Sequence, residues 1–180
     1  MKRMKRIMAL MLAAIMMMAM SVTAFAAEGA TGTHTLTVNV KSTTPAQDLK
    51  GQTINLYKLF DVTESKSGET TNYAYTVNAA YKDAIKSALG TSFTGTKDEE
   101  YAAAVLALKD TEGAVQKFAN DFTAEALTKK LSATANSGKI IEENKTSYTF
   151  ENLAAGYYLV YITGGKEIQS SLVTVDETTT

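Results

Sequence analysis

Gly156-Tyr157-Tyr158-Leu159-Val160-Tyr161-Ile162-Thr163 is the stretch that decides the fold, because it is a short run with apolar side chains on both alternating faces. Length and β-branched and aromatic content make it a strand. A strand apolar on both sides must be covered on both sides, and one antiparallel partner sheet covers only one. A second layer is needed, and the helical pattern over residues 78–131 supplies it. The expected fold is mainly β with a helical insertion (α+β). It is a small antiparallel β-sandwich with two to four helices inserted between strands three and four and packed over part of it.

Working outward, Thr146–Asn152 alternates and precedes the central strand, while Ser171–Val175 follows it and closes the domain. Near the other end, Leu36, Val38 and Val40 alternate with Thr35, Thr37 and Asn39, which marks the first strand. Residues 42–51 hold Pro45, threonines, Asp48 and Gly51 and read as a connection. In Thr53–Val62, strict alternation puts Ile54, Leu56, Lys58, Phe60 and Val62 on one face and Tyr57 and Leu59 on the other. Residues 63–72 are rich in Ser, Thr, Glu and Gly and read as a hairpin-like loop into the strand Tyr73–Val77.

The period then changes. After Asn78 as N-cap, Tyr81, Ile85, Ala88 and Leu89 recur at helical spacing and Gly90 stops the run. Thr96 and Glu99 have capping-box spacing ahead of the alanine-rich segment Tyr101–Leu108, and Val115, Phe118, Ala119 and Phe122 form a third stripe. Glu125–Leu131 either continues that helix or begins a fourth. Asn136-Ser137-Gly138 reads as a polar loop.

All eight methionines lie in the first twenty residues, behind Lys2, Arg3, Lys5 and Arg6 and ahead of Ala24-Phe25-Ala26-Ala27. A basic start, an apolar run and a small-residue exit make residues 1–27 a secretory signal peptide, and the chain is expected to be secreted, to the cell surface, with no membrane contact after cleavage. The remaining chain of about 150 residues suits one domain with a real core. Of the 18 basic residues the signal takes four and no acidic ones, leaving 14 against 19, a balance of −5. Without a basic stripe nucleic acid is excluded as a partner. There is no cysteine, so no disulfide holds this exported domain together.

Chemistry-bearing residues are few. His34 is the one histidine, so no Ser/His or Cys/His nucleophilic arrangement can be built, and zinc chemistry loses its usual ligands. Asp98, Glu99, Glu100 and Glu142, Glu143 lack the spacing of a calcium loop. No phosphate-binding glycine pattern occurs, and Asn144-Lys145-Thr146 fits the glycosylation sequon. No catalytic residue, metal or cofactor is expected. Lys58 is the oddity, because alternation sets its ammonium among apolar neighbours, where an unpaired charge is costly. Either a bulge lets the long stem reach water, or the amine is buried and uncharged, able to attack a carboxamide as in an internal isopeptide.

The segments INLYKLFDVT (Ile54–Thr63), YAYTVNAAYKDAI (Tyr73–Ile85), FENLAAGYYLVYIT (Phe150–Thr163) and SSLVTVDETTT (Ser170–Thr180) occur in this order behind the signal. Together they resemble the N-terminal domain of Gram-positive sortase-assembled pilins, the SpaA-type, isopeptide-forming fimbrial backbone subunits. Leu153 to Val160, a Leu, two residues and Gly-Tyr-Tyr-Leu-Val, also looks like the closing hairpin of CnaB-type, Ig-like sandwiches.

The resemblance implies a pilin N-terminal domain over residues 34–176, with a short linker at 28–33 and another at 177–180 toward further chain. It implies a lysine on an early strand joined to a late-strand acceptor, with a buried acid between. Lys58 matches the lysine, and Lys41 is the alternative. Asp176 is the late acceptor, since no asparagine follows Asn152. For the acid, the family position holds Ile162 here, and Glu151 alternates away from Phe150.

The implied function is a non-enzymatic structural and adhesive module of a cell-surface fimbria. Its partners would be other pilin subunits, sortase and a host surface or matrix ligand. Pro45 is the lone proline and neither a Y-P-K nor an L-P-x-T-G motif occurs, so a fragment of a longer pilin is expected. The alternative is a free-standing secreted module that binds glycan or cell wall through exposed tyrosines.

Overall fold

β6 (Gly156–Thr163) runs through the middle of a five-stranded sheet, hydrogen-bonded to β2 (Thr53–Ser67) on one side and β7 (Gln169–Val175) on the other. The computed structural model describes residues 34–39, 48–163 and 169–175. The outer edge of β2 carries β3 (Thr70–Val77) along its second half and β4 (Ala135–Lys139) along its first. A separate two-stranded sheet pairs β1 (His34–Asn39) with β5 (Ser147–Leu153). Every pairing is antiparallel. Between β3 and β4 lie three helices, α1 (Lys82–Leu89), α2 (Asp98–Ala107) and α3 (Ala114–Thr128), with a 3₁₀ turn at Leu108–Asp110. The protein is thus mixed α+β with antiparallel sheets, as the double-sided apolar strand required.

Alternation along β6 sorts its side chains into two separate cores. Tyr158, Val160 and Ile162 join Ile54 and Leu56 of β2 in packing against Leu36 and Val38 of β1 and Phe150 and Leu153 of β5. Leu159 and Tyr161 join Tyr57 and Leu59 under the helices, against Tyr81, Ile85, Tyr101, Phe118 and Phe122. Each large apolar side chain buried this way contributes roughly 1.5–3 kcal/mol against exposure. Tyr57, Tyr81 and Phe122 meet edge to face at 5.5–5.9 Å between centroids, the arrangement that ring quadrupoles favour. Ala119 and Ala126, both buried, let α3 lie close over the sheet.

Several local expectations need correction. β2 does not end at Val62, because its polar second half, through Ser67, pairs with β3 in a ribbon that turns at Gly68-Glu69. Gly68 takes a φ of 63° there, a conformation that costs glycine little. Asn136-Ser137-Gly138 is not a loop; it lies within β4, which Ser137 secures by accepting the Ile54 N–H on Oγ at 2.9 Å. Asn78 opens a turn, its Oδ1 accepting from Ala80 N–H, and α1 begins later, at Lys82. The capping acid of α2 is Glu100, which accepts the Thr96 and Lys97 N–H groups at 2.7 and 2.9 Å; Glu99 does not fill that role. Of the two alternatives left open for Glu125–Leu131, the first holds: α3 continues to Thr128.

Candidate functional site around Lys58

Between Lys58 and Phe60 the β2–β6 register slips. Lys58 stands opposite Tyr158, Phe60 opposite Tyr157, and Asp61 opposite Gly156, so β2 carries one extra residue there. Such a bulge sends two consecutive side chains to one face. Leu59 and Phe60 both enter the core under the helices, which corrects the expectation that Phe60 shares the face of Ile54 and Leu56. The same slip brings Asp61 round to Lys58. On a regular strand residues three apart point to opposite faces. Here the Lys58 Nζ sits 2.5 Å from Asp61 Oδ1, the lysine side chain 17% and the aspartate 50% exposed.

The lysine stem lies across Gly156. A Cβ at that position would come within 2.8 and 2.9 Å of Lys58 Cδ and Cγ and 2.7 Å of the Phe60 carbonyl oxygen, distances that real Cβ atoms do not show. Glycine is required there by close approach of a side chain and a neighbouring strand. The Lys58 N–H donates to Thr134 Oγ1 at 2.9 Å, which ties the bulge to the connection leading into β4. Tyr158 completes the surroundings, donating from its hydroxyl to the Ala154 carbonyl at 2.8 Å. Burial raises its phenol far above the ordinary range and the Asp61 carboxylate adds to this, so it remains a neutral donor.

The arrangement is an amine clamped by one carboxylate, its stem laid over Gly156. It sets an amine beside an acid and withdraws most of the lysine side chain from solvent. Of the residues named from sequence, Lys58 is at its centre. Glu151 is exposed on β5 in the other sheet, and its neighbour Phe150 faces the core, so Glu151 is not brought to Lys58. Lys41 and Asp176 lie outside the described residues, as do the signal peptide and both linkers. β6 stands between the strand of Lys58 and β7, in the row Lys58, Tyr158, Val173. The acid that reaches Lys58, Asp61, was missed. An Asp three residues after a lysine in an otherwise apolar strand carries that signal only if the bulge is foreseen.

The acidic clusters have structural partners. Asp98 accepts from Val77 N–H at 3.2 Å and from Lys82 Nζ at 3.0 Å, and these bonds hold its carboxyl below the usual range, the lysine contributing most. Glu142 pairs with Lys145 at 2.9 Å, and Glu143 with Lys50. Among the described residues no group of three or more His, Cys, Asp and Glu gathers as a metal site. None of their helices is long and apolar enough to cross a membrane. Tyr57, Tyr158 and Tyr161 are buried, which removes them as stacking platforms for a glycan, while Tyr73 is 44% exposed. His34 is fully buried at the start of β1.

Comparison with known proteins finds no family model that matches the chain and no curated protein that matches it.

Proposed function

We propose that the chain is the N-terminal structural module of a secreted, cell-surface fimbrial subunit, built to be part of a filament and not to turn over a substrate. The observation that carries this reading is the Leu153–Val160 segment. Its turn joins the β1–β5 sheet to the five-stranded sheet, and its Gly156 receives the stem of a shielded lysine on the early strand β2. We read the two facing sheets as a CnaB-type, Ig-like sandwich whose outer face is sheathed by the helices. Residues used elsewhere for chemistry are here used for packing: the tyrosines of β2 and β6 fill cores, and the acids at the start of α2 tie helix to strand.

The partners on this reading are further subunits and the sortase that joins them. The test is an immunoblot of the cell-wall fraction with antibody raised against residues 34–175. A ladder of species that survives boiling in detergent, and that collapses when sortase genes are deleted, is the expected result. A single monomer-sized band confined to the medium would overturn the reading.

Lys58 is the proposed amine of any internal crosslink, with Asp176 as acceptor and Lys41 as the alternative amine. Asp61 takes the place of the assisting acid, a role for which Glu151, exposed on β5, is not placed. Condensation with an aspartate removes water, about 18 Da, from the intact mass. A mature domain of unshifted mass would remove the crosslink and leave Lys58 as an ion-paired structural lysine.

A further inference from the structure

The strand registers place the two ends of the fold at one corner. His34, the first residue of β1, pairs with Leu153, and Val175, the last of β7, pairs with Gly156. Leu153 and Gly156 flank the two-residue turn Ala154-Ala155. Three Cα steps of 3.8 Å and two cross-strand spacings of about 5 Å bound the separation of His34 and Val175 at roughly 20 Å. β1 runs away from this corner and β7 runs toward it, so both strands are held at that end by their terminal pairs.

We propose that the fold is a mechanically compliant element, in which tension applied through its two ends peels β1 from β5 and β7 from β6, one cross-strand pair at a time. When a strand is pulled along its length against its neighbour, all the bonds of the ladder share the load. When it is lifted from one end, each bond meets the load alone. The geometry here is the second kind for both terminal strands.

Two features favour peeling at the start of β1. The β1–β5 register is irregular between His34 and Leu36, so the first pair to be loaded is set off from the regular ladder beyond it. The sheet to which β1 belongs has only two strands among the described residues, so β1 has no second hydrogen-bonded neighbour there. Resistance rises only when Leu36 and Val38, which are fully buried, must leave the core between the sheets. Opening is therefore expected to pause after the first pair and to need a higher force for the pairs that follow. The inference stands whether or not the chain belongs to a filament. For β7 it holds in the domain without a Lys58–Asp176 bond, which would pass the load to β2 and spare β7, so the intact mass is read before pulling. Within a filament, it would make this module a yielding segment, or one attached beside the line of tension.

Single-molecule force spectroscopy on the mature chain tests it. The chain has no cysteine, so attachment points can be introduced singly. One version is pulled through its N- and C-termini; a second is pulled through Asn39→Cys, at the far end of β1, and the C-terminus. The second geometry loads β1 lengthwise. If Asn39→Cys melts differently from the parent, Lys139→Cys, exposed at the end of β4 remote from the corner, gives a second lengthwise geometry that loads β4 against β2 and β7 against β6. The expected result is a terminal-to-terminal unfolding force at most half of that in the lengthwise geometry at equal pulling speed. Equal forces, or a higher force between the termini, would overturn the proposal.

Discussion

Gly156→Ala tests the close approach on which the Lys58 site depends. The added methyl would meet the Phe60 carbonyl oxygen at 2.7 Å and the Lys58 stem at 2.8 and 2.9 Å. The lysine stem can swing aside, but the carbonyl belongs to the backbone of the paired strand and can retreat only if β2 and β6 separate locally. Overpacking of this kind costs about 1–3 kcal/mol. For a domain of this size that lowers the melting temperature by roughly 2–12 °C. Calorimetry of the purified mature domain at pH 7 measures it.

A second variant separates the two contacts. In Gly156→Ala/Lys58→Ala the stem clash is gone while the carbonyl clash remains, so the double variant should be more stable than the sum of the single losses predicts. The coupling should reach about 0.5–1 kcal/mol. If Gly156→Ala melts within about 1 °C of the parent, β2 does not approach Gly156 as closely as stated, and if the two single losses simply add, the stem does not lie over it.

Asp61→Asn should destabilise the domain by about 1 kcal/mol, between the values of exposed and buried pairs, and the loss should shrink when Lys58→Met is added. Urea titration of the four proteins gives the coupling. Asp98 has its carboxyl held low by Lys82 and the Val77 N–H. Its contribution is therefore present above the unfolded pKa and lost as pH falls through the lower folded value. Asp98→Asn should lower the urea midpoint at pH 7, and the gap to the parent should narrow in acid below the ordinary aspartate range. A gap that widens in acid would contradict the assignment. Lys130 follows α3 with φ 53°, and its N–H donates to the Leu127 carbonyl as in a glycine-terminated helix end. Lys130→Gly should stabilise by about 0.5–1 kcal/mol in the same assay.

The large elements were legible wherever burial shows as periodicity. β6 announced its central place because both its faces are apolar, and the helical cover followed from that requirement. Phe118, Ala119 and Phe122 mark the buried stripe of α3 for the same reason. The bulge in β2, one of the two readings that Lys58 invited, could not be placed from sequence because Leu59 and Phe60 are both apolar, so either register leaves an oily residue on each face. With the bulge not placed, strict alternation leaves Asp61 on the face opposite Lys58, and its role goes unnoticed.

β4 was illegible for a different reason. Ala-Asn-Ser-Gly-Lys has turn composition, and it is a strand only because β2 offers an edge and Ser137 an acceptor. The two capping choices at α2, Thr96 with Glu99 and Lys97 with Glu100, have the same spacing. Helix start, set by Asp98 bonding to Val77 and Lys82, decides between them.

The central proposal, that this fold is exported and built into a surface filament, is most directly tested by immunogold electron microscopy of intact cells with antibody to residues 34–175. Gold particles at regular intervals along extracellular fibres are the predicted result. Fibres that stay bare while the antigen is recovered as a soluble protein would contradict it.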